Sequence, residues 1–305
     1  MSDLQPIAAV ERDTGLSKDT LRAWERRYGF PTPVRGVQAE RGYPPEQVHK
    51  LHLLKRLLDA GHRPGRVVPL EVEALQRLAA GVVVATGHGT DMQEWIALLG
   101  QHDAYALRNA LGQALLQLGL ERFVTELVAP LNVAVGDAWM QGRLQVFEEH
   151  FYAECLQTVL RQAIGGLMGA VHQDAPRVVL ATIPQEWHGL GLLLAEALFS
   201  LEGCNCLSLG ARVPLADIVA AARSCGADVV GLSFTASLAP AQVHNALREL
   251  RALLPGEVEV WAGGQCPALH RRTVEGVRVV TQAGQIAAEL NRWRALAQAP
   301  AAAGL

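Results

Sequence analysis

Between residues 176 and 297, short continuous apolar runs alternate with longer stretches of helical character. The first run, over 177–183, is bounded by Pro176 and Pro184, as expected of a strand buried on both faces of a parallel sheet. Further strands are predicted over 206–209, 228–234, 258–262 and 277–280, with helices over 190–201, 215–224, 240–254 and 285–295. Five strands in that alternation predict a flavodoxin-like (Rossmann-like), doubly wound α/β sheet. Residues 71–170 follow another rhythm: they are nearly all helix-patterned and short of β-branched runs. Helices are predicted over 72–80, 91–100, 103–118, 120–140 and 145–167, four of which would make a helical bundle, with a break at Thr86-Gly-His-Gly-Thr90. The first seventy residues predict a helix over 7–13, a turn at 14–16 and a second helix N-capped by Ser17. That is a helix-turn-helix. The chain is therefore expected to divide at 1–70, 71–170 and 176–297, with 298–305 a low-complexity, disordered tail.

Composition narrows the picture. A chain of 305 residues, half of them hydrophobic, fits two or three domains with separate cores. Five cysteines without a C-x-x-C pair, no signal peptide and no apolar span of twenty imply a reduced, soluble, cytoplasmic protein with no membrane partner. Charge is unevenly spread. Residues 1–70 hold 12 Lys and Arg against 8 Asp and Glu, a balance of +4, which leaves −7 for the rest of a chain of net charge −3. A basic end on an acidic chain is the electrostatic footprint of a nucleic-acid module.

Chemistry-bearing residues gather at the predicted carboxyl ends of the strands, the edge where open α/β sheets bind ligands. Glu186-x-His188-x-x-Gly191 follows the first strand, Ser233-x-Thr235 the third and Gly263-Gly264 the fourth. Small side chains there predict a groove, and glycine lets backbone approach a ligand closely. Glu186 can hydrogen-bond one ring nitrogen of His188, fixing its tautomer. A phospho-receiver domain shares this sheet but needs acidic residues where Ile183-Pro184 and Ser233-Phe234 stand. At these separations the three pieces resemble the cobalamin-binding signature Asp-x-His-x-x-Gly, Ser-x-Leu, Gly-Gly, with Glu186 for Asp and Thr235 for Leu. The resemblance implies that His188 is the lower axial ligand of cobalt. It also implies that Gly191, Ser233, Thr235, Gly263 and Gly264 line a slot for the nucleotide tail of the corrin.

At the amino terminus, Arg22-Ala-Trp-Glu-Arg-Arg-Tyr-Gly-Phe-Pro-Thr-Pro33 is followed by Arg35, Arg41 and Tyr43. This run resembles the winged helix-turn-helix head of the MerR family of transcription regulators. In that family the second helix enters the major groove and a wing, here between Pro33 and Tyr43, lies against the backbone. The DNA-binding set is then Lys18, Arg22, Arg26, Tyr28, Arg35, Arg41 and Tyr43, with Lys18 and Arg22 placed for base edges and Arg35 and Arg41 for phosphates. MerR proteins usually dimerise through a long helix after the head. Pro64, Gly65 and Pro69 interrupt such a helix here, so assembly is expected to come from elsewhere.

Trp139, nine residues, Glu149-His150 completes the pattern. Gly142-Arg143 predicts a turn, so a hairpin brings the indole and the carboxylate to one end of the helical region. The spacing resembles the Trp-x9-Glu-His motif of adenosylcobalamin photoreceptors of the CarH and LitR type, which pair it with a MerR head and a B12 domain in this order; the four-helix bundle resembles the one that sits on cobalamin in methionine synthase and related sensors. That resemblance implies adenosylcobalamin as cofactor, with Trp139 against its adenosyl group and Glu149 accepting from the ribose hydroxyls. It implies a dark-state repressor that holds double-stranded operator DNA as a homo-oligomer, dimer or tetramer, with RNA polymerase or an antirepressor as further partners. Met140 stands where the photoreceptors carry a histidine that ligates cobalt after light breaks the Co–C bond; His150 is the nearby substitute. A regulator that binds B12 without responding to light is the alternative. A corrinoid methyl carrier or mutase subunit, the enzyme reading, is disfavoured by the head and by the lack of a substrate domain or catalytic constellation.

Overall fold

The computed structural model describes residues 4–35, 41–59, 62–80, 92–167, 175–236 and 238–298. The head comprises β1 (Gln5–Pro6), α1 (Ile7–Thr14), α2 (Lys18–Tyr28), β2 (Val34–Arg35), β3 (Arg41–Tyr43), α3 (Pro45–Asp59), α4 (Pro64–Val67) and α5 (Val72–Ala80). Ser17 caps α2 by accepting from the Thr20 N–H at 3.1 Å. Gly15 and Gly29, both at φ 68°, close α1 and α2 in the left-handed conformation that a side chain resists. The wing is an antiparallel hairpin: β3 pairs with β2 on one side and β1 on the other. A small sheet thus joins a head whose sequence pattern predicts only helices.

Helices follow: α6 (Met92–Leu99), α7 (Ala104–Leu118), α8 (Leu120–Arg122), a π-helical turn (Phe123–Val128), α9 (Ala129–Met140) and α10 (Val146–Leu167). The single helix predicted over 120–140 is widened at that π turn, which ends two residues before Pro130, a residue with no N–H to donate to the ladder. The final region contains β4 (Arg177–Ala181), α11 (Leu190–Leu201), β5 (Asn205–Gly210), α12 (Leu215–Cys225) and β6 (Val229–Ser233). After these come α13 (Pro240–Leu253), β7 (Glu259–Gly263), α14 (Ala268–Arg271), β8 (Val277–Val280) and α15 (Ile286–Gln298). Its five strands are parallel in the order β5-β4-β6-β7-β8. This is the flavodoxin-like order, with its switch point beside the first strand. All five residues of β6 and four of five in β4 are buried, which is why these runs read as continuously apolar.

The chain forms two compact units, Met1–Gly87 with Asp137–Leu144, and His88–Gly136 with Gln145–Leu305. Helix α5 belongs with the head because its buried Leu75 joins the cluster of Leu21, Trp24, Leu51, Leu54 and Leu57. In the other unit, α7 and α10 pack together and α10 packs on α11 of the sheet region. The predicted break at 86–90 and nearly all of the predicted tail lie outside the described residues, among which no helix is long and apolar enough to cross a membrane.

Candidate functional site

Strand β4 ends by running into Thr182, Ile183 and Pro184, and the chain then turns so that Glu186 points inward. Glu186 is 1% exposed, yet its carboxylate has four donors. Oε1 accepts from the His188 backbone N–H at 3.0 Å and lies 2.7 Å from His188 Nδ1. Oε2 accepts from the Thr235 N–H at 2.8 Å and the Thr235 hydroxyl at 2.7 Å. Burial pushes the Glu186 carboxyl up, but the bonds from His188 and Thr235 outweigh it and hold the group below its ordinary value of 4.5. The protein therefore gains stability from Glu186 above about pH 4.5 and loses it as pH falls towards the lower folded value. Acid titration of thermal stability should show this loss, and Glu186→Gln protein should show a shallower one; matching curves would discount the network.

The same carboxylate orients the imidazole. His188 is 61% exposed at the side chain, and with Nδ1 engaged by Glu186 a metal would be taken by Nε2. The donor chemistry fits a metal that brings its own ring of nitrogens and needs one axial imidazole. Among the described residues no group of three or more His, Cys, Asp or Glu is placed to hold a bare ion.

The predicted groove residues meet at this sheet edge, where the chain also packs closely on the glycines. A Cβ on Gly191 would lie 2.8 Å from the Ser233 hydroxyl, and one on Gly263 2.7 Å from the Val280 carbonyl oxygen. Gly264 adopts φ 102°, and a Cβ there would overlap the Phe234 carbonyl. Close backbone approach is real at all three positions, and its partners are protein atoms.

In the head, Lys18, Arg22 and Arg26 recur every four residues along α2, opposite buried Leu21 and Trp24. Lys18 pairs with Glu11 at 3.3 Å, and Arg22 lies 3.9 Å from Asp19. Arg26 is exposed, and Tyr28 lies under the Arg27 guanidinium, 5.4 Å from its ring centroid. The backbones of Arg35 and Arg41 pair across the wing; their side chains, like that of Met140, lie outside the described residues. Tyr43 has no exposed surface: its ring fills the head core and its hydroxyl donates to Glu25 at 2.7 Å. Its position at the end of the wing therefore serves the fold.

Trp139 groups with the head. Its indole is edge-on to His52, centroids 5.1 Å apart at 84°, and 6.2 Å from His49 at 71°. Burial, then the neighbouring His52, hold His49 below its usual value. Half-exposed Glu149 and exposed His150 lie at the start of α10, 3.9 Å apart. Beside them the buried Glu148 accepts from the Gln145 N–H and lies 2.6 Å from His102 Nε2, pinning that turn.

Residues 6–68 match the MerR HTH family regulatory proteins, residues 176–290 the B12 binding domain and residues 92–164 a second B12 binding domain description. Over 87% of its length, and 90% of the relative's, the chain is 31% identical to the HTH-type transcriptional repressor CarH of Myxococcus xanthus. The chain belongs to the CarH family. A second repressor of that organism, CarA, is 29% identical over 88% of this chain and 89% of its own. The monomethylamine corrinoid protein of Methanosarcina barkeri superposes with a TM-score of 0.53 at 13% identity, covering 65% of this chain and 96% of that one; at that identity the likeness is one of fold. In this CarH-family protein, three participants at the sheet edge escaped the sequence pattern. Thr182 is a hydroxyl inside an apolar run, Trp187 an unassigned motif position, and Arg212 is brought in from the next loop. A bulky aromatic between the two motif residues was the one visible signal.

Proposed function

We propose that this CarH-family protein is a transcriptional repressor whose grip on operator DNA is set by bound adenosylcobalamin and by light. The observation that carries the reading is the buried Glu186 carboxylate holding His188 by Nδ1, the arrangement that directs Nε2 to a metal. Adenosylcobalamin supplies a Co–C bond that visible light can break. His188 would hold the cobalt through Nε2, with Glu186 fixing the tautomer of its ring and Thr235 donating to Glu186. Glu149 and His150, at the start of α10, act on the adenosyl side. Lys18, Arg22 and Arg26 of the head engage double-stranded DNA, and a homo-oligomer presents several heads to one operator, raising effective concentration. On this reading the protein works in the cytoplasm as a regulator and not as an enzyme.

Met140 favours a second reading, a B12-binding regulator without a light response, because a thioether stands where the photoreceptors carry a cobalt-ligating histidine. Size exclusion with adenosylcobalamin, dark and then under green light, separates the two. A larger dark assembly that breaks up on illumination is the expected outcome. Bound cobalamin with an unchanged elution volume would leave the light-independent reading.

A further inference from the structure

Two side chains beside His188 have no role in the account so far. Trp187 leaves 46% of its surface exposed at the ligand edge of the sheet. The Arg212 guanidinium stacks on its indole at 3.4 Å from the ring centroid. Arg212 reaches this position through an uncommon backbone, φ 62°, a left-handed conformation that a side chain adopts at a cost. The surroundings hold it there. The buried Thr182 hydroxyl accepts from the Arg212 N–H at 2.9 Å and donates to the Glu186 carbonyl at 2.8 Å. The backbone of Thr182 is bonded to both sides of the same loop, donating to Gly210 and accepting from Val213. One threonine therefore fixes the loop after β5 against the loop that carries Glu186, Trp187 and His188. Backbone strain maintained by a dedicated network, next to a ligand-binding histidine, points to use.

Stacking also decides what Arg212 can offer. A guanidinium laid flat on an indole uses its π face and keeps its in-plane N–H donors directed outward. One of them, at Nε, makes a long 3.4 Å bond to the Pro184 carbonyl. A corrin seated on His188 carries carboxamide groups around its rim, whose oxygens accept such donors, and an apolar underside suited to an indole. We infer that Trp187 and Arg212 form a second anchoring point for the corrin, with Arg212 donating to rim carboxamides and Trp187 shielding the bond between His188 and the metal from water. This rests on the proposal that His188 binds a cobalamin.

Because Arg212 is left-handed, Arg212→Gly removes the guanidinium while relieving the backbone. Trp187→Ala and Trp187→Phe complete the set. The probes are adenosylcobalamin in the dark and cobinamide, which keeps the corrin rim but lacks the nucleotide tail. Affinity is read by absorption titration of the full-length protein, alongside cofactor-free melting. Arg212→Gly and Trp187→Ala are expected to bind both probes about tenfold more weakly, with cofactor-free melting of Arg212→Gly unchanged or raised and Trp187→Phe largely restored. The visible spectrum should remain that of a histidine-ligated corrin. Unchanged affinity for both probes, or a loss confined to adenosylcobalamin, overturns the inference. If the unaltered protein takes up no adenosylcobalamin, the underlying reading fails instead.

Discussion

His188→Ala protein is expected to retain adenosylcobalamin about a hundredfold more weakly than the parent and to show a spectrum without the lower histidine. Losing an outer partner of a metal-bound histidine typically costs about 10–100-fold in affinity, and losing the ligand itself should reach at least the upper end. The change should be clean, because the imidazole is largely exposed and Glu186 keeps both Thr235 donors and the backbone N–H of residue 188 after the ring is gone. Glu186→Gln should fall between parent and His188→Ala in affinity, since the ring remains while its tautomer is less firmly fixed. Equilibrium dialysis in the dark with absorption spectra makes the comparison. A parent-like spectrum from His188→Ala would remove His188 from the metal.

The second large effect falls on the fold. Gly264→Ala should destabilise the sheet region by about 3 kcal/mol or more, combining a backbone penalty of about 1–3 kcal/mol with overpacking of about 1–3 kcal/mol. The glycine lies at φ 102°, and the added methyl would overlap the Phe234 carbonyl. That carbonyl belongs to backbone immediately after β6, so nothing flexible can swing aside. The midpoint of thermal unfolding should drop by about 6–12 °C. Gly256→Ala is the matched control, because a Cβ there meets nothing within 4 Å, and it should melt with the parent. Equal melting of the two variants would mean that the loop after β7 relaxes freely.

These two residues show how far the chain was legible in advance. His188 stood out because its partner is a neighbour in sequence: Glu186 is two residues away, directly after a largely apolar strand. Gly264 was legible as a motif member, but its close approach to the Phe234 carbonyl was not. Tyr43 read as a wing residue beside basic neighbours, yet it is drawn into the core by the Glu25 carboxylate 18 residues earlier. Arg212 carried no signal, because its role depends on a left-handed turn and on Thr182, 30 residues away.

By itself the sequence determined the main helices, the Ser17 cap, the basic face of α2, the parallel five-stranded sheet and the residues offered at its carboxyl edge. Those features follow from local rhythm and local chemistry: what a segment must bury, and which backbone groups its own neighbours can satisfy. Only the tertiary structure decided who meets whom. It divided the Glu186 carboxylate between His188 and Thr235, 47 residues apart, and placed Leu75 and Trp139 with the head. It also set Trp187 beneath Arg212. A hydrophobic pattern states that a surface will be covered; the covering partner is chosen when distant segments close on one another, through distances and angles that no local spacing encodes.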